Sequence, residues 1–135
     1  MVLLMGSASM SRYSAKLLEH FHAPRNGGAL KDAHAIGHGS LNGRPPRSQI
    51  YLQFYDDQVC RAAFTTFGCG VSIACCSVLT EMVIGKSVTV CQQITSADVK
   101  NALDGVPADK DYCAAIAVEA LHDALKSRPP SPDVT

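Results

Sequence analysis

Between residues 67 and 71 the spacing of the apolar residues changes, and that change limits the folds open to the chain. Before it, residues 49–55 (QIYLQFY) alternate, with Ile50, Leu52 and Phe54 on one face. Residues 58–67 (QVCRAAFTTF) read as a second strand, and Asp56-Asp57 as the tight turn of a hairpin over 49–67. After the change, Val71, Ala74, Cys75, Val78, Leu79 and Met82 fall at i, i+3, i+4, i+7, i+8 and i+11, one apolar helical stripe. The corner itself reads Gly68-Cys69-Gly70.

The flanking segments fill in the order. Residues 12–22 (RYSAKLLEHFH) predict a short helix ended by Pro24, followed by a turn at Arg25-Asn26-Gly27-Gly28. Residues 34–41 (HAIGHGSL) predict a weak strand and 43–48 (GRPPRS) a loop. Beyond Gly85, Ser87 caps a short helix through Gln93, and Thr95 or Ser96 caps another that ends at Gly105. The last helix starts near Asp109–Asp111, with Cys113, Ile116, Ala117, Ala120, Leu121 and Ala124 as its stripe. Helix, strands, then helices predicts an α+β fold with an antiparallel sheet.

The 135 residues suit one domain with a core of its own. Twelve basic and twelve acidic side chains cancel, which gives no case for nucleic acid or an anionic membrane as the main partner. No apolar run approaches a membrane span. The opening MVLLMGSASMSR is too short and wrongly flanked for a secretory signal. Residues 1–11 are expected to be flexible, and 128–135 to form a frayed, Pro-rich tail. Six cysteines without a signal, four of them in helix-like stretches, predict reduced thiols in a cytoplasm.

Among those cysteines Cys69 is the best placed. Its glycine neighbours let the backbone turn sharply, and it precedes a helix N-terminus, where free N–H groups favour a thiolate. A buried structural cysteine at a strand–helix corner accounts for the same residues equally well. Cys75 lies on the apolar stripe and reads as a small core residue. Cys76 projects to nearly the side of Cys69, but seven residues of helix separate them by about 10 Å, too far for one metal. Cys113, at the head of the last stripe, reads as core unless the fold brings it to Cys69. Cys60 and Cys91 have no specific case. His20 and His22 end a helix and are expected to be exposed or locally bonded. His34 and His38 flank a glycine-rich strand as weak ligand candidates, and His122 lies on the face of its helix opposite Cys113.

A family likeness runs through about residues 12–127. It is carried by Tyr13-Ser14 and His20, Pro24-Arg25-Asn26, Phe67-Gly68-Cys69-Gly70, Ile73-Ala74, Thr80-Glu81, Gly85-Lys86-Ser87, and the stretch from Pro107 to Cys113 with the final helix. In these the chain resembles the U-type iron–sulfur cluster assembly scaffolds, the IscU/NifU N-terminal family. The resemblance implies a three-stranded antiparallel sheet packed against helices, a domain over 12–127, and a non-catalytic role. It implies a site at one end of the molecule where three cysteines plus an aspartate or histidine hold a nascent [2Fe–2S] cluster, or zinc in its absence. The implied partners are a cysteine desulfurase, which delivers sulfur as persulfide, and recipient apo-proteins.

The chain departs from the family at that site. Counting back from Tyr51-Leu52-Gln53, the first ligand loop becomes Pro45-Pro46-Arg47-Ser48, with Pro46 at the cysteine position and Ser48 at the aspartate position. Cys69 matches the second ligand cysteine. The His-Cys pair becomes Tyr112-Cys113, and the chaperone-binding stretch becomes Val106-Pro107-Ala108-Asp109-Lys110. Cys69 and Cys113 are therefore the implied cofactor and metal ligands. Two thiolates are half a Cys₄ set, which two chains of a homodimer would complete. The alternative is a pseudo-scaffold that docks the assembly machinery without holding a cluster. A thiol enzyme built on Cys69 lacks a histidine base beside it.

Overall fold

The computed structural model describes residues 12–129; the expectations for residues 1–11 and for the end of the tail lie outside the described residues. The chain runs α1 (Ala15–His22), β1 (Ala35–Leu41), β2 (Arg44–Tyr55), β3 (Gln58–Phe67), α2 (Gly70–Val83), α3 (Val88–Gln92), α4 (Ser96–Ala102), a 3₁₀ turn (Ala108–Lys110) and α5 (Asp111–Lys126). The expected α+β class holds. The sheet is three-stranded, antiparallel and ordered β1-β2-β3. α2 packs on β3, α5 on β1 and β2, and the two helices pack on each other, with α1 against α2.

The hairpin forms for the reason its residues suggest. Asp56 and Asp57 both take positive φ, 55° and 61°, the handedness of a two-residue turn that matches strand twist. Ile50, Leu52, Ala62 and Phe64 turn inward, while Phe54 is only partly covered beside the turn. The Ser-Thr capping signals are also used. Ser14, Ser87 and Thr95 accept the amides of Leu17, Val90 and Asp98, and Thr95 with Asp98 closes a full capping box.

One element differs from expectation. Residues 44–48, read as loop, are the first part of β2. Ser40 pairs with Arg47 but Leu41 with Arg44, so Pro45 and Pro46 fall in a bulge with no partner on β1. A strand accepts proline where no amide is required. This places Pro46 beside the end of β3, where Arg47 pairs with Phe67.

α5 approaches β1 closely. A Cβ on Gly37 would sit 2.0 Å from the Ala120 carbonyl oxygen, and one on Gly39 would sit 2.2 Å from that of Ile116. The same helix covers the free edge of β1: the amides of His38 and Ser40 donate to the Asp123 and Glu119 carboxylates at 2.8 and 3.1 Å.

α2 is central. The expected stripe is buried except at its last position, Met82, which is half-buried, but Ser72, Cys76, Ser77 and Thr80 are buried too. Its polar groups are all engaged. Ser77 Oγ meets His20 Nδ1 at 2.7 Å and accepts the Arg25 amide at 2.9 Å. Thr80 Oγ1 donates to the Ser77 carbonyl and accepts from Asn26. His20 is therefore not an exposed helix-end residue; it is 5% exposed and ties α1 to α2.

Candidate functional site

Cys69 ends the β3–α2 corner in extended conformation, φ −93° and ψ 179°, as the N-cap of α2. Its two glycines are required by close approach. A Cβ on Gly68 would lie 2.8 Å from Ser72 Oγ and 2.9 Å from Pro46 Cβ, and one on Gly70 would strike the Phe21 ring at 2.6 Å. The corner is thus wedged between the proline bulge of β2 and the end of α1, which holds the Cys69 side chain at the molecular surface, partly exposed.

Cys113 reaches the same place from the first turn of α5, where it is 2% exposed. The two sulfurs, 44 residues apart in sequence, are 3.9 Å apart in space. The Ser72 hydroxyl donates to Cys113 Sγ at 3.4 Å. Pro45, Pro46, Phe67, Gly68 and Tyr112 complete an open cleft around Cys69.

The environment separates the two thiols. Burial works against a charge on Cys69, but the amides of Ser72 and Val71, the Cys113 thiol and the Lys110 ammonium outweigh it, so its pKa is lowered from the usual 9.0. The sulfur closes no capping hydrogen bond of ordinary geometry, so those amides act on it mainly as aligned dipoles at the helix start. Burial pushes the Cys113 thiol up to about 11, although Ser72 pulls the other way. Of the pair, Cys69 therefore gives up its proton more readily and Cys113 keeps its own.

The other cysteines stay apart. Cys75, Cys76 and Cys91 are fully buried. Burial raises the Cys75 thiol far above 9.0, Cys76 to about 12 and Cys91 to about 11. Cys60 is exposed on β3 and donates to the Gln53 carbonyl. None of the candidate histidines joins the site. His34 accepts the Phe54 amide and stacks on its ring, and His122 meets the Ile94 carbonyl. Among the described residues no three His, Cys, Asp or Glu side chains gather as a metal site.

At the remaining ligand positions implied by resemblance, Pro46 offers only carbon. Ser48 is 3% exposed, with its hydroxyl bonded to Thr66 at 2.9 Å. Tyr112 lines the cleft. Two contributors were not singled out by sequence reasoning, Ser72 and Lys110. Both follow from helical geometry, one turn after Cys69 and one turn before Cys113, but only once those two sulfurs are known to meet.

The NifU-like N-terminal domain model matches residues 12–130. The iron–sulfur cluster assembly scaffold protein IscU of Aquifex aeolicus (strain VF5) is 38% identical over 116 residues, which are 84% of this chain and 74% of that protein. The nitrogen fixation protein NifU of Azotobacter chroococcum mcd 1 is 39% identical over 115 residues, again 84% of this chain but 37% of the longer relative. In fold, the chain is similar to a putative iron–sulfur cluster assembly scaffold protein of the SUF system from Fervidobacterium islandicum AW-1. The TM-score is 0.69 at 19% identity, covering 87% of this chain and 98% of the other.

Proposed function

The chain belongs to the NifU-like N-terminal domain family, and from that premise we propose that it is an iron–sulfur cluster assembly scaffold whose cargo is held by Cys69 and Cys113. The observation that carries this reading is the 3.9 Å separation of the two sulfurs. Thiolates bound to one tetrahedral iron or zinc at about 2.3 Å lie within about 4 Å of each other, so the pair fits one edge of such a centre. The lowered pKa of Cys69 favours its thiolate, and metal binding would remove the proton of Cys113.

The donor set is half of what a cluster needs. Soft thiolate suits iron–sulfur chemistry, whereas Ser48 is buried and engaged and Tyr112 is a hard oxygen donor. A [2Fe–2S] cargo therefore takes its other two thiolates from a second copy of the chain, and zinc would occupy the same edge when iron and sulfide are absent. The partners of this reading are a cysteine desulfurase as sulfur source and apo-proteins as recipients. The working unit is residues 12–127, its role is non-catalytic, and six unpaired thiols suit the cytoplasm.

Pro46 favours one competing reading. With apolar carbon in place of a third donor, the domain would dock the assembly machinery and hold no cargo. Reconstitution separates the two. The protein is incubated anaerobically with ferrous iron and sulfide, and iron, zinc and sulfide per chain are measured with the visible spectrum. Scaffold function predicts retained iron and sulfide with a charge-transfer band, both lost in Cys69→Ala and Cys113→Ala. A folded wild type that retains neither leaves only the docking reading.

A further inference from the structure

Cys69 and Cys113 differ from every other cysteine of the chain in facing each other with nothing between. At 3.9 Å their sulfurs are in contact, and a disulfide closes at about 2.05 Å. The closing movement is about 2 Å, within reach of side-chain rotation at a helix N-cap and a first helical turn. Elsewhere in a metal site a third ligand would hold the sulfurs apart. Here the third position is Pro46, packed against the corner, and it can neither ligate nor be oxidised.

Access is one-sided. Cys69 opens into the cleft, whereas Cys113 lies behind it at 2% exposure. A dissolved reagent meets Cys69 first, and Cys113 can reach only what is already attached to Cys69. That is the arrangement of an attacking and a resolving thiol. Lys110 places a positive charge near Cys69, which favours an anionic reagent.

We propose that Cys69 and Cys113 form a reversible dithiol–disulfide pair, closed by exchange with an oxidised low-molecular-weight thiol of the glutathione disulfide class, and that closure shuts the metal site. Cys69 sulfur attacks one sulfur of the reagent, the reagent's S–S bond breaks, and one glutathione leaves as thiolate. Cys113 sulfur then attacks the Cys69 side of the mixed disulfide and expels the second glutathione. Two protein thiols are oxidised by two electrons, one reagent disulfide is reduced to two thiols, and the two protein protons end on them. Both sulfurs are then spent on each other, and no donor remains for a metal. The consequence for metal rests on the scaffold reading, but the bond itself does not.

The test uses reduced, metal-free full-length protein treated with glutathione disulfide, followed by intact mass and peptide mapping. The wild type should lose two hydrogens in a Cys69–Cys113 crosslink that dithiothreitol reverses. Cys113→Ser should stop at one glutathione on Cys69, and Cys69→Ser should form no crosslink to Cys113 and carry no adduct there. Circular dichroism confirms that each variant is folded, and loss of Cys113 alkylation when the oxidised wild type is unfolded in urea, relative to the reduced protein treated alike, reads the bond without any variant. A wild type that accumulates the mixed disulfide, or whose crosslink maps to other cysteines, overturns the proposal. Iron and zinc uptake by the same reduced and oxidised samples keeps the two ideas distinct. Uptake by both samples alike overturns the shut site. Crosslinking in a protein that takes up no metal even when reduced supports the pair and counts against the scaffold.

Discussion

Cys75 and Cys76 lie within seven residues of Cys69, yet the three sulfurs share almost no chemistry. Two are sealed inside α2, where a thiolate would be unsolvated, while the third caps the helix at the surface. The contrast was legible at Cys69, because flanking glycines and the start of a helical stripe mark a corner. It was not legible at Cys113, which reads as one more core position until the fold brings α5 to the corner. Two outcomes follow at this scale. Iodoacetamide labelling of Cys69 should rise with pH around a midpoint below 9.0, because the lowered pKa leaves more thiolate at each pH. A midpoint at or above 9.0, read by peptide mass, would mean that burial outweighs the helix amides and Lys110. Cys75→Ala removes a small buried group and should cost about 1–2 kcal/mol in urea unfolding while leaving metal uptake intact. Lost uptake in a folded variant would assign Cys75 a role in the site.

The elements were read more accurately than their joints. Strand and helix periods located β2, β3, α2 and α5, because those segments bury one face or more against a single core. The Pro45-Pro46 segment was misread because a bulge tolerates proline, and a bulge is a relation between two strands that no local window contains. His20 was misread for a similar reason: its partner, Ser77, lies 57 residues away. Burial, then the Arg25 charge, lowers the His20 pKa from 6.5, so the fold prefers the neutral ring. The unfolded chain binds the proton more readily, and stability must therefore fall as pH drops below 6.5. Urea midpoints at pH 7.5 and 5.5 should separate in the wild type and converge in His20→Asn. Equal separation in both would place the titrating group elsewhere. At the β1–α5 contact, Gly39→Ala drives a Cβ to 2.2 Å from a backbone carbonyl that a helix cannot easily withdraw. A loss of about 3 kcal/mol is expected. Gly43→Ala is the control for space, since nothing lies within 4 Å of its Cβ direction, although its φ of 82° carries strain of its own. If Gly39→Ala costs no more than that control, the helix is not as close as the geometry states.

Assembly is the level that a single chain's pattern records least, because it depends on what two copies present to each other. One end of this molecule presents two converging thiols, a wall of proline, and a rim with Phe67 66% exposed and Phe21 38% exposed. Zero formal net charge leaves little repulsion between two such ends. A two-fold axis through the cleft would bring Cys69 and Cys113 of each copy together, complete four thiolates, and cover the aromatic rim with its own image. The contact is isologous, so one surface suffices and the assembly closes at two. Cargo held this way would leave slowly, since release requires the copies to part. Size-exclusion chromatography with light scattering, run anaerobically with and without reconstituted cargo, should show a dimer that depends on cargo. Cys69→Ala should remain monomeric under both conditions. Replacing Phe67 with Glu, which puts like charges face to face across the axis, should weaken the dimer without touching a sulfur. A monomer that retains iron and sulfide at full stoichiometry would require the missing donors from solution and would end the two-chain account. So would a dimer whose cargo survives the loss of Cys69.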